Sequence, residues 1–338
     1  YREYLYRQGI TFILSAKRTS SVLVLKRDRG NFLKAMSLRL KHRLSKILEK
    51  ELPPQAAGLM QAFLLGDRYN IPKSVNDLFK VSGVAHIIAI SGFNIGIVTY
   101  VLMIILKMFP IPRGAQYILS MVLLALYAFM AGGQPPVVRA TIMAIVFLVS
   151  FLVERKPEPV NTLAAAAIIL LLMNPLNLFD VGFQLSFVSV LFIILLSPSM
   201  MAVSDQLLLR LDKKDEGRDD RGTKYGSPRR EFSVMKYLLQ SAAISVAAYL
   251  GVVVIVVYYF KLITPVVIIA NLVVVPLASL IIFLGMGLLA AGMIFPCAAF
   301  AFASCITATL NLMIASVFLF AQIPGAYFQI KNFPLWGV

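Results

Sequence analysis

Residues 263–295 read ITPVVIIANLVVVPLASLIIFLGMGLLAAGMIF, a run without a single charged side chain. About 20 apolar residues suffice for a helix to cross a bilayer, so this run is too long for one span. Pro265, Pro276, Gly285, Gly287 and Gly292 interrupt it, which predicts a broken or re-entrant segment here. Other membrane-length apolar runs lie at about 84–106, 115–131, 137–153, 160–173, 181–197, 237–260 and 297–322. The expected fold is an all-α polytopic membrane protein with eight or nine transmembrane or re-entrant helices. Composition agrees: of 338 residues, 59% are hydrophobic and 14% charged, with a mean hydropathy of +0.82, against about 45–50% and about 25% in soluble chains. A soluble enzyme, a disordered tail and a coiled coil are excluded.

Thirty-two basic residues face sixteen acidic ones, a net charge of +16. Residues 1–50 hold thirteen Lys or Arg against Glu3, Asp28 and Glu49, whereas 205–236 holds nine basic and seven acidic residues and is nearly balanced. The excess marks the N-terminal part as attractive to a polyanion or to anionic headgroups. Cys297 and Cys305 would lie roughly 12 Å apart on a helix, too far to bridge, and read as packing residues. The chain opens at Tyr1 without a basic-then-apolar leader, which predicts a piece of a longer protein.

Within residues 1–30 a short helix over Tyr1–Gln8 and two strands, Thr11–Ser15 and Val22–Lys26, are expected; two strands bury too little to stand alone. From Phe32 to Leu48 the apolar residues Phe32, Leu33, Met36, Leu40, Leu44, Ile47 and Leu48 share one helical face. Lys34, Arg39, Lys41, Arg43, Lys46 and Lys50 line its flanks and back, the pattern of a basic helix lying in a membrane interface. A solvated helix against a soluble domain is the alternative. A second amphipathic piece, Gln55–Leu65, ends at Gly66-Asp67. The segment 198–236 reads as a charged loop. Short loops set orientation: Lys107 and Arg113 follow the first span and Arg155 and Lys156 the third, while 132–136 and 174–179 contain no Lys or Arg. The basic ends therefore face the cytoplasm, and residues 1–80 lie outside as a surface for an external polyanion.

Polar groups at bilayer depth cost free energy and mark candidate sites. They are His86, Asn94, Arg139, Asp180, Gln184 and Asn271, with Ser91, Ser186 and Ser189 as weaker members. Arg139 reads as pore-lining, or as paired with a headgroup or with Asp180. Asp180 and Gln184, four apart, would share a helix face and suit a hydrogen bond between helices or a place in a conduction path. Gly92 and Gly96 would permit close helix approach. A serine-protease reading of His86 and Ser91 is weak, because on one helix they stand about 140° and about 7.5 Å apart. The sequence has no nucleotide-binding glycine loop, no H-E-x-x-H motif and no Cys/His cluster with zinc spacing. No metal, cofactor or catalytic residue is expected, and energy for any transport would come from another protein.

Five blocks carry a resemblance: Phe63-Leu64-Leu65-Gly66-Asp67-Arg68; Ser82-Gly83-Val84-Ala85-His86-Ile87-Ile88-Ala89-Ile90-Ser91-Gly92; Val137-Val138-Arg139-Ala140; Asn174-Pro175 with Phe179-Asp180-Val181-Gly182-Phe183-Gln184-Leu185-Ser186-Phe187; and Ala270-Asn271-Leu272-Val273-Val274-Val275-Pro276. In this order they resemble the core of the ComEC-type competence family. The resemblance implies an inner-membrane channel of a bacterial cell that passes one strand of incoming DNA to the cytoplasm. It implies membrane lipids as surroundings and, as partners, single-stranded DNA, a separate DNA receptor, a nuclease domain or protein and a cytoplasmic ATP-driven helicase. Residues 1–30 look like the end of the family's OB-like extracellular domain, a fold that suits single strands. The family's nuclease domain has no counterpart here, so no degradation activity is expected. Where the family has Ser-Gly-Leu-His, this chain has Ser91-Gly92-Phe93-Asn94; Asn keeps hydrogen bonding but carries no proton. The rival expectations are a secondary transporter, whose internal repeat is not found, and a scaffold that docks DNA-processing proteins through 198–236.

Overall fold

Proline punctuates the chain. Pro54, Pro135, Pro159 and Pro296 each open a helix, where the missing N–H costs nothing, and Pro72 and Pro112 stand immediately before two more. The computed structural model describes residues 32–216, 229–294, 296–325 and 327–329. The expected helix and strands of residues 1–30 lie outside the described residues. The helices are α1 (Phe32–Glu51), α2 (Pro54–Met60), α3 (Lys73–Val81), α4 (Ala85–Ile88), α5 (Gly92–Lys107) and α6 (Arg113–Met130). They continue with α7 (Pro135–Leu152), α8 (Pro159–Met173), α9 (Val181–Glu216), α10 (Arg229–Phe260), α11 (Val267–Ile294) and α12 (Pro296–Ala321). A single π-turn, Gln61–Leu65, extends α2, and a 3-10 segment, Pro175–Phe179, precedes α9. Leu262–Ile263 (β1) and Phe328–Gln329 (β2) form a two-residue antiparallel pair.

Among the described residues, six helices are long and apolar enough to cross a membrane: α6, α7, and the apolar parts of α9, α10, α11 and α12. The apolar α5 and α8 are shorter. The chain is thus an all-α, multi-pass membrane protein. Helices α5 to α9 run up and down in succession: Gly114 abuts Leu152, Ser120 donates to Met103 Sδ at 3.1 Å, and Tyr117 stacks on Phe151. The short linkers 131–134 and 174–180 therefore lie at one end of this succession, and Lys107, Arg113, Arg155 and Lys156 at the other.

Three expectations about breaks are corrected. The run 263–295 is not broken at Pro276: it forms one helix from Val267 to Ile294. One proline removes one N–H, and an apolar surrounding leaves the other backbone groups no partner outside the helix. The run 84–106 is broken instead. Val84, Ile87 and Ile88 belong to one apolar core, and Ile90 and Ile95 to a second; a straight helix cannot aim neighbouring turns at both. The segment 198–236 is mostly helix, since α9 continues through Pro198 to Glu216 and α10 starts at Arg229. Lys236 Nζ pairs with Asp205 at 3.2 Å between them.

Packing corrects three more. Leu44 and Leu48 of α1, expected on the face that a helix lying in a membrane interface turns to the bilayer, are buried in the main core, and Ile47 fills the space beside Gly292, leaving Met36, Leu38 and Leu40 exposed. A Cβ on Gly96 would meet nothing within 4 Å, and one on Gly92 only Ala140 at 3.8 Å, so this pair makes no close helix contact. Cys305 is exposed, not packed.

Candidate functional site: a polar cluster at one end of the helices

The π-turn at Gln61–Leu65 loosens the regular ladder and frees carbonyls that other elements cap. Asn94 Nδ2 donates to the Phe63 carbonyl at 3.2 Å, the Tyr127 hydroxyl to that of Leu64 at 2.8 Å, and Gln134 Nε2 to that of Gly66 at 2.9 Å. Gly66 ends the turn with φ +73°. A side chain there would be strained by that φ and would also meet Ala131 O at 3.1 Å. Buried Gln61 locks the turn to α1 and to the following loop: its Nε2 donates to Glu49 at 2.7 Å and Ser45 at 2.8 Å, and its Oε1 accepts from Asn70 at 2.8 Å. Tyr127→Phe should strand the Leu64 carbonyl and lower stability by about 1–3 kcal/mol; an unchanged unfolding midpoint in detergent would remove this cap.

Ser91 stands just before α5 in extended backbone, and its hydroxyl donates to Asn94 Oδ1 at 3.1 Å. Asn94, 1% exposed, thus spends both ends of its amide on Ser91 and Phe63. The break separates His86 from Ser91 and leaves His86 exposed; the serine pairs with Asn94.

Arg139, one turn into α7, meets Asp180 at the start of α9: Nη1 lies 3.3 Å from Oδ2. The same Oδ2 accepts the Phe183 backbone N–H at 2.9 Å, so Asp180 also caps the helix. It precedes α9 rather than sharing a face with Gln184, whose Nε2 turns back to the Leu178 carbonyl at 3.0 Å. A Cβ on Gly182 would approach Arg139 Nη2 to 2.9 Å and Asp180 Oδ2 to 3.1 Å, so the guanidinium fits only over a bare Cα. Arg139 is 6% exposed, and its Nε is buried without an acceptor among the described residues.

Ser91, Asn94, Arg139, Asp180 and Gln184 therefore gather with Gly66 and Gln134 at the end where the linkers carry no Lys or Arg. Asn271 is on α11, its buried Oδ1 without a donor among the described residues. On α1, Lys34, Arg39, Arg43, Lys46 and Lys50 are exposed, and Lys41 reaches Asp67 at 3.9 Å. Gln61, Tyr127 and Gln134 are not evident in the sequence, since each sits in an unremarkable local pattern and only its distant partner reveals it; Gly182 lies in one of the quoted blocks, but only its approach to Arg139 shows why a glycine stands there. No group of three or more His, Cys, Asp or Glu that could hold a metal occurs among the described residues.

A family model described as "Competence protein" matches residues 63–338. The chain belongs to the competence protein family. Over 200 residues, 59% of this competence protein and 25% of the relative, it is 38% identical to ComE operon protein 3 of Bacillus subtilis (strain 168). Over 154 residues, 45% of this chain and 36% of the relative, it is 31% identical to an uncharacterized protein of Aquifex aeolicus (strain VF5). The matched part is thus about a quarter and about a third of those relatives' lengths. No solved structure matches.

Proposed function

We propose that this chain is the membrane core of a channel that passes a single strand of DNA into the cytoplasm during competence. The observation that carries the reading is the segregation of groups between the two ends of α5 to α9. Cationic loops mark the cytoplasmic end, and the polar cluster then faces outward, where DNA arrives. Lys41, bound to Asp67 beside Gly66, ties the basic helix α1 to the same end, so an external polyanion meets positive charge before it meets the membrane. A strand entering a low-dielectric passage needs polar replacements for water that do not hold it fast. One arginine among amides suits that need better than a wall of lysines.

The extended α9 and α10 favour an added role. A helix of 36 residues, α9, is about 54 Å long against a hydrocarbon core of about 30 Å. Its charged end, with that of α10, stands clear on the cytoplasmic side as a docking arm for an ATP-driven partner.

The test uses the natural full-length protein in transformable cells given labelled duplex DNA. Arg139→Glu should leave surface-bound label unchanged and lower nuclease-protected label at least about tenfold, the scale of one lost charge-assisted contact. Normal protected label at normal protein level removes Arg139 from the path. Loss of a small solute's uptake with DNA entry intact would instead favour a transporter.

A further inference from the structure

We propose that Asp180 is a resident stand-in for a phosphate group, and that a phosphodiester of the incoming strand exchanges with it on Arg139 and the first turn of α9. The inference rests on the channel reading and names what one of its stations binds.

The donors converge as they would on an anion. Arg139 Nη1 and the Phe183 N–H point at one carboxylate oxygen, at 3.3 and 2.9 Å, at the positive end of a 36-residue helix. As a purely structural ion pair the arrangement is poor. It uses one oxygen and one guanidinium nitrogen, and 3.3 Å exceeds the roughly 2.7–2.9 Å of a charge-assisted bond. Arg139 is more than nine-tenths buried, yet its Nε has no acceptor among the described residues. A guanidinium has five donors in a fixed fork that matches phosphate, and this one has spare capacity where water is scarce.

Shape and access agree. Gly182 leaves the fork room against backbone, because a Cβ would stand 2.9 Å from Nη2. The Asp180 side chain is 24% exposed against 8% for Arg139, so the way in lies on the carboxylate side. Asp180 joins the 3-10 segment to α9 in extended backbone, which lets its side chain swing outward without unwinding the helix. A phosphodiester carries one negative charge over two equivalent oxygens, one for the Phe183 N–H and one for the Arg139 fork. The exchange replaces one anion by another, so Arg139 is never left buried and unpaired. Competition from Asp180 keeps the hold weak, and a strand can move on.

The experiment uses the full chain in detergent and a fluorescent eight-nucleotide oligothymidylate, with its uncharged methylphosphonate analogue as control. Asp180→Asn keeps a helix cap and removes the competing charge; it should tighten oligothymidylate binding about tenfold at low salt and leave the analogue unchanged. Adding Arg139→Gln should abolish the gain. Asp180→Ser, also an uncharged cap, gives the same reading if the Asn variant folds poorly. Unchanged or weaker binding in either variant at a native unfolding midpoint overturns the proposal, as does a gain that survives Arg139→Gln. If binding does not tighten while Arg139→Glu cells lose protected DNA, the exchange fails and the path stands. If binding tightens while those cells take up DNA normally, the phosphate station stands and the path does not run through it.

Discussion

Gly58→Ala should cost about 3 kcal/mol, the upper part of the range for forcing atoms into a packed core. The added Cβ would lie 2.5 Å from the Asn70 carbonyl oxygen and 3.0 Å from its carbon. Both are backbone atoms and cannot rotate away, so the loop after Gly66 must shift and the Asn70–Gln61 bond with it. Gly96→Ala is the matched control: a Cβ there meets nothing within 4 Å, and in mid-helix the change should be neutral or gain up to about 1 kcal/mol. Thermal unfolding of both proteins in detergent checks the pair. Equal shifts would mean that α2 does not press against the loop.

Arg139→Leu alone should lower stability by on the order of 3 kcal/mol, because it leaves the Asp180 carboxylate facing an apolar neighbour; part exposure of Asp180 keeps this at the low end for a broken buried pair. Adding Asp180→Leu should restore much of the loss, since two apolar groups in place of a buried pair are often neutral. Nuclease-protected DNA should stay at least about tenfold below normal in the same double variant. Stability and uptake then part company, and the cycle isolates the pair's coupling. Recovery of both would make Arg139 and Asp180 a fastener only.

The membrane class was legible at once, because apolar runs such as 181–197 and 237–260 admit no other solvent. Helix starts at Pro54, Pro135 and Pro159 were nearly as plain, since a proline's missing N–H has few other comfortable places. The candidate polar residues also stood out, and a pairing of Arg139 with Asp180 is one that the sequence admits. Where the 84–106 run breaks was not legible: the interruption falls at Ala89-Ile90-Ser91, where one serine is a weak local signal, and its cause is that Ile88 and Ile90 serve different cores. Conversely Pro276, a strong local signal, left α11 intact.

By itself, then, the order of amino acids settled the solvent, the succession of helices and which side chains were too polar to idle there. The tertiary structure alone decided which of these satisfy one another. Asn94 finds a carbonyl 31 positions away, Arg139 a carboxylate 41 away and Gln134 a carbonyl 68 away. Hydrogen bonds act over about 3 Å in space, whereas sequence periodicity reports only neighbours within a turn or two. In lipid the pattern is blinder still, for a leucine facing a hydrocarbon tail and one facing another helix are written the same way.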